Sequence, residues 1–93
     1  DPIVAATGGT VTYADWMGGF GKLVIIERGG TEYYYAHASE LLVRVGQQVA
    51  PGALIARVGT TGRVTGSHLH FEIRVDGTPV DPLPVLEARA GAR

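Results

Sequence analysis

Short runs of β-branched and aromatic residues, separated by glycine turns, constrain the fold of this chain more than any other sequence feature. The run Lys22–Glu27 contains four consecutive apolar residues, which favours a strand buried on both faces. Gly29-Gly30 follows as a two-residue hairpin turn, and residues 31–37 form the returning strand. Residues 39–45 fit either a turn of helix or a strand. Further strands are predicted at residues 10–16, 53–58 and 68–75, and Asp76-Gly77 is a turn signal after the last of them. The pattern predicts an all-β fold, a compact antiparallel sheet or sandwich of short strands.

Length and composition restrict what such a fold can do. A chain of 93 residues fits one small domain, and a domain of this size is marginally stable without a metal, a partner or more polypeptide. The sequence has no cysteine, so a metal site would need His, Asp, Glu or carbonyl ligands. A formal net charge of −1 without a basic run argues against a nucleic-acid partner. No apolar stretch approaches the roughly 20 residues of a membrane-spanning helix, so no membrane insertion is expected in this segment.

Two histidines lie side by side on the last long strand. Alternation along residues 68–75 places His68, His70, Glu72 and Arg74 on one face. The opposite face carries Leu69, Phe71, Ile73 and Val75, and is predicted to be the core face. Paired imidazoles on a strand suit a metal site, but they also fit a solvated strand surface. Glu72 and Arg74 are interpreted as part of an exposed row of ion pairs.

His37 is the third and last histidine of the chain. Alternation along residues 31–37 places Tyr33, Tyr35 and His37 on one face of their strand. That face could be an aromatic surface cluster, or His37 could join the other two histidines across neighbouring strands. We expect the three imidazoles to converge, and we expect a core built from Val24, Ile26, Leu69, Phe71 and Ile73.

Several motifs in one order resemble the lysostaphin-type (LytM-domain) zinc peptidases. Residues Thr61–Glu72 are similar to that family's signature T-G-x-(S/T)-T-G-x-H-L-H-F-E, and Tyr35-Ala36-His37 matches its Y-x-H motif. The glycine-containing segment 45–59 resembles the linker between the two motifs, and Asp81-Pro82 resembles the end of the domain. The resemblance spans roughly residues 2–82. It implies the LytM-type peptidase core, whose pattern is related to the barrel-sandwich hybrid.

The resemblance also implies a function and a role for each histidine. His70 corresponds to a zinc ligand, and His37 and His68 correspond to a catalytic pair that activates water and stabilises the transition state. The implied activity is a zinc-dependent endopeptidase that cuts peptides of bacterial peptidoglycan, in an extracellular, periplasmic or cell-surface location. Residues 1–82 would be the C-terminal portion of the peptidase domain, and residues 83–93 a C-terminal tail.

The sequence departs from the family at the metal site. The family has two further zinc ligands in an upstream H-x-x-x-D motif, whereas this chain has no histidine before His37, and Asp1 falls too late for the motif. Either the remaining ligands belong to upstream polypeptide, or the domain is a degenerate relative that binds cell wall or regulates an amidase. A third interpretation is a biotinyl or lipoyl carrier domain. Lys22, the single lysine, argues against it, because it begins a buried-looking strand instead of occupying a hairpin tip. On its own, the chain is expected to bind zinc weakly.

Overall fold

The computed structural model describes residues 2–58 and 70–80. The strands are β1 (Pro2–Val4), β2 (Gly9–Met17), β3 (Gly21–Arg28), β4 (Thr31–Leu41), β5 (Gln48–Val49), β6 (Leu54–Val58), β7 (His70–Val75) and β8 (Thr78–Val80). A single 3-10 turn, Gly18–Phe20, joins β2 to β3. The described residues contain no α-helix and therefore none that could span a membrane. The predicted all-β fold is confirmed.

All strand pairs are antiparallel and belong to one curled sheet. Its order is β1-β6-β4-β3-β2-β5, and β7 pairs with both β4 and β8. Strand β4 is the organising element, because it pairs with β3, with β6 through its last residues, and with β7 through residues 31–36. The ambiguous segment 39–45 is thus partly a strand, since β4 continues to Leu41.

Two hairpin turns lie next to each other at one end of this sheet. Gly29 and Gly30 both have positive φ, and so do Asp76 and Gly77. Turns of this backbone conformation match the right-handed twist of the strands they connect. The amide of Asp76 donates a 3.1 Å hydrogen bond to the carbonyl of Gly30, which ties the two turns together. Both predicted turns are therefore present.

The two faces of the sheet carry separate apolar clusters, as expected for β3, which is buried on both sides. The main core contains Ile3, Ala5, Val11, Val24, Ile26, Tyr33, Tyr35, Ala38, Ile55, Ala56 and Ile73. The second cluster, which we call the pocket-side cluster, contains Leu23, Ile25, Tyr34 and Ala36, with Tyr13 and Phe20 packed against it.

The predicted core is confirmed at Val24, Ile26 and Ile73, which are fully buried. Phe71 is half-buried and packs against the main core, and Leu69 lies outside the described residues. Val75 was expected on the core face but is 39% exposed. It is the last residue of β7 and directly precedes the Asp76-Gly77 turn.

Candidate active site

His37 lies in a β-bulge of β4. Lys22 pairs with Ala38, but Val24 pairs with Tyr35, so Ala36 and His37 together face the single residue Leu23 of β3. The φ angle of His37 is 63°, in the left-handed region. Bulges redirect side chains and are common beside active sites, and non-glycine residues in this region store strain that is frequently linked to function.

The bulge corrects one expectation from the sequence. Strict alternation grouped His37 with Tyr33 and Tyr35, which lie in the main core. The extra residue interrupts the alternation, and the His37 ring instead approaches that of His70, the residue paired with Ala36 on β7. Regular alternation gives the wrong side of the sheet for His37, because a bulge moves the side chains that follow it to the opposite face.

The imidazoles of His37 and His70 converge, as expected. Their ring centroids are 5.9 Å apart, and the rings meet at 66°. His37 is 7% exposed, whereas the His70 side chain is 45% exposed. His68, the third histidine of the prediction, lies outside the described residues, and so do residues 61–66.

An open pocket lies over the two histidines. It has a volume of about 270 Å³ and is lined by Gly19, Phe20, His37 and His70. The Phe20 ring lies 6.1 Å from the His70 ring, measured between centroids. The 3-10 turn brings Phe20 to this position, with Gly18 and Gly21 on either side at positive φ. Sequence reasoning missed Phe20 as a wall of the site, because its signal was no more than an aromatic residue between glycines.

Glu72 and Arg74 form an ion pair on the same face of β7. The Glu72 side chain is only 20% exposed, so the predicted pair exists but is partly buried. Burial by itself raises the pKa of the Glu72 carboxyl. Hydrogen bonds from Arg74 and His70 together outweigh that effect and hold the pKa below its ordinary value.

The donor set is compatible with zinc but incomplete within the described residues. Imidazole nitrogens are common zinc ligands, and His70 presents one at the pocket. Among residues 2–58 and 70–80, no three His, Cys, Asp or Glu side chains are grouped so as to hold a metal ion. His70 could therefore be one ligand of a zinc ion, with the others supplied from outside the described part of the chain.

The curled antiparallel sheet thus brings two imidazoles together beside an open pocket, and comparison with known families gives the class of the protein. A sequence model of peptidase family M23 matches residues 1–82, and the chain belongs to this family.

Curated relatives of the chain include enzymes and an activator. The chain is 51% identical over 90 residues to the lipoprotein NlpD/LppB homolog of Pseudomonas aeruginosa, covering 95% of this chain and 30% of the relative. It is 41% identical over 85 residues to the murein hydrolase activator EnvC of Escherichia coli, covering 90% of this chain and 20% of EnvC. It is 47% identical over 64 residues to the peptidoglycan DD-endopeptidase ShyA of Vibrio cholerae, covering 68% of this chain and 15% of ShyA. The chain thus spans less than a third of each of these relatives.

Solved structures share the fold. The catalytic domain of lysostaphin, an antimicrobial peptidase of Staphylococcus simulans, has a TM-score of 0.86 and 31% identity, covering 92% of this chain and 70% of that domain. A zinc-containing peptidase from Vibrio cholerae has a TM-score of 0.82 and 38% identity, covering 86% of this chain and 25% of that protein. The expected lysostaphin-type core is confirmed.

Proposed function

We propose that the full-length protein carrying this domain is a zinc-dependent endopeptidase that cuts peptide bonds in bacterial peptidoglycan. The observation that carries the proposal is the meeting of His37 and His70 at 5.9 Å through a bulge at which His37 has a φ of 63°. The strain at His37 costs about 1–3 kcal/mol. If the pair of histidines had no function, a regular strand at this position would avoid that cost.

Each histidine has a distinct role in this proposal. His70 is exposed at the pocket and would hold the zinc ion, with further ligands from outside the described residues. A bound zinc ion polarises a carbonyl and lowers the pKa of its water ligand. The buried imidazole of His37 would exchange a proton with water or substrate in the pocket through a ring nitrogen. His68, two residues before His70 in the H-L-H motif, would be the second member of the catalytic pair.

The relatives support a proposed substrate class and location. ShyA is a peptidoglycan endopeptidase, lysostaphin is an antimicrobial peptidase, and the Pseudomonas relative is a lipoprotein. We therefore place the protein in the cell envelope, in a periplasmic, extracellular or surface location, with peptidoglycan peptides as its partner.

A regulatory role is the second candidate. EnvC is a murein hydrolase activator, and the described residues contain no group of three side chains that could hold a metal ion. A domain that binds cell wall or activates an amidase would keep the fold and the pocket without hydrolysing peptides itself.

Zinc titration combined with peptidoglycan hydrolysis on the full-length protein separates these functions. The endopeptidase should bind zinc tightly, lose activity to a chelator and recover it on addition of zinc. His70→Ala should abolish metal binding. His37→Ala and His68→Ala should each reduce hydrolysis by about 10²–10⁴-fold while retaining much of the zinc affinity.

Two results would contradict the proposal. A zinc-loaded protein that releases no peptide fragments, yet stimulates a purified amidase, would establish the regulatory role. Full activity of the 93-residue chain alone would show that the ligand assignment is wrong, because His70, His68 and His37 would then need additional ligands from residues such as Asp1 or Glu72.

A further inference from the structure

Five side chains on the pocket side of the sheet form a closed ring of contacts. Glu72 Oε1 lies 3.5 Å from Nε2 of His70, and Glu72 Oε2 accepts a hydrogen bond from Nε of Arg74. The guanidinium carbon of Arg74 lies 4.4 Å from the centre of the Tyr34 ring. Phe20 closes the ring, with its centroid 5.8 Å from that of Tyr34 and 6.1 Å from that of His70.

The carboxylate of Glu72 is held from two sides, by His70 and by Arg74. Its two oxygens have different partners, so the carboxylate cannot rotate to improve one contact without losing the other. Arg74 in turn is held against Tyr34, which is buried in the pocket-side cluster. Alternation along β7 provides the geometry, because residues 70, 72 and 74 share one face of the strand.

The contact with Glu72 has a consequence for the protonation of His70. A neutral imidazole carries its proton on one nitrogen and a lone pair on the other. A carboxylate beside Nε2 can only accept, so it favours the proton on that nitrogen and leaves the lone pair on Nδ1. Carboxylates that accept a hydrogen bond from a metal-binding histidine fix its tautomer and ring orientation in this way.

We infer that Glu72 is a positioning residue for His70, holding it in the Nε2–H tautomer so that Nδ1 is available as the metal ligand. This inference rests on the proposed role of His70. It assigns Glu72 and Arg74, which the sequence indicated only as a surface ion pair, to the support of the site.

The isosteric variant Glu72→Gln gives a sharp test. Arg74 can donate only to the amide oxygen, so the amide NH₂ group would turn toward His70. Because that group is a donor, Nε2 would have to accept, and the favoured tautomer would reverse to Nδ1–H. Long-range ¹H–¹⁵N correlation spectra of the metal-free full-length protein at about pH 8, where an ordinary imidazole is neutral, report the tautomer directly. Assignment of the His70 signals uses a His70→Gln variant.

The expected result is an Nε2–H signal from His70 in the unmodified protein and an Nδ1–H signal in Glu72→Gln. Zinc affinity, measured by competition with a chromophoric chelator, should fall about 10–100-fold in the variant. The matched control is Glu40→Gln. Glu40 also pairs with an arginine, Arg57, at 3.4 Å, but it is 59% exposed. This control should change neither the tautomer nor the zinc affinity.

An Nδ1–H tautomer in the unmodified protein would overturn the inference without need of any variant. An unchanged tautomer in Glu72→Gln, or an unchanged zinc affinity in a protein that binds zinc, would overturn it as well. If the unmodified protein binds no zinc, the metal assignment under the proposed function fails, and the tautomer measurement, made without metal, still decides whether Glu72 positions His70.

Discussion

The imidazole of His37 reaches that of His70 from a position that regular alternation along β4 would place on the other side of the sheet. The rings meet at a centroid distance of 5.9 Å, and the bulge opposite Leu23 is what brings them together. The site is therefore built by a local irregularity of the strand as much as by the choice of residues.

The backbone strain at His37 should be measurable as a difference in the free energy of unfolding between two variants. Glycine adopts the φ of 63° found at His37 without a steric penalty, whereas a β-branched side chain is disfavoured at this angle. We expect His37→Gly to be more stable than His37→Val by about 1–2 kcal/mol, measured by urea denaturation. Both variants should lack peptidase activity under the proposed function.

The control for this comparison is the same pair of substitutions at Trp16. Trp16 lies on β2, is 52% exposed, has no positive φ, and pairs with Lys22 in a regular part of the ladder. On a regular strand valine is favoured over glycine, so Trp16→Val should be the more stable of the two. The same order of stability at both positions would contradict a strained bulge at His37.

The difference in burial along β7 can be tested by substitutions at Ile73 and Val75. Ile73 is fully buried in the main core, whereas Val75 is 39% exposed. Ile73→Ala should lower the free energy of unfolding by about 2–5 kcal/mol, and the milder Ile73→Val by about 1 kcal/mol. Val75→Ala, on the same face of the same strand, should cost less than Ile73→Ala by at least about 1 kcal/mol. Equal losses in thermal or urea unfolding would mean that Ile73 is not buried more deeply than Val75.

Gly9 begins β2 and lies close against the backbone of β3. A Cβ atom at this position would collide with the carbonyl oxygen of Glu27 and would lie 2.8 Å from Cγ2 of Ile26. The obstructing carbonyl is backbone and cannot move aside, so Gly9→Ala should destabilise the domain by about 3 kcal/mol. Gly46→Ala is the control, because Gly46 has a φ of +94° but open space around it. It should cost only about 1 kcal/mol; an equal loss at both positions would rule out the collision.

Tyr34 should make the domain sensitive to alkaline pH. Burial of the phenol, followed by the negative charge of Glu32, raises the pKa of Tyr34 above its ordinary value of 10.0, and Arg74 opposes the shift. A raised pKa in the folded state means that the folded state binds the proton more tightly than the unfolded state. The stabilisation is therefore fully present below pH 10 and is lost as pH rises through 10 toward the pKa of the folded state.

The measurement is urea denaturation at several pH values from about 9 to 11. The free energy of unfolding should fall less steeply in Tyr34→Phe than in the unmodified protein. The ultraviolet absorbance of phenolate, as a difference between the two proteins, should show Tyr34 ionising above pH 10. Identical pH slopes would contradict the assignment.

The local pattern of apolar residues and glycines was sufficient to predict most of the strands and turns. The continuous apolar run of β3 predicted burial on both faces, because a strand between two apolar clusters has no solvated side. The glycine pair at 29–30 and Asp76-Gly77 predicted two hairpins, because few other residues adopt positive φ. The short strands β1, β5 and β8 were missed. With only two or three residues each, they have too few positions to show a period.

The sequence by itself determined which residue types meet at the pocket, since His37 and His70 are identifiable from the Y-x-H and H-L-H motifs alone. Only the tertiary structure decided their arrangement. The bulge depends on how β4 registers against β3, and the partial burial of Glu72 and Arg74 depends on Tyr34 and Phe20 packing beside them. These relationships join residues distant along the chain, and period-two reasoning describes only the strand on which a residue lies.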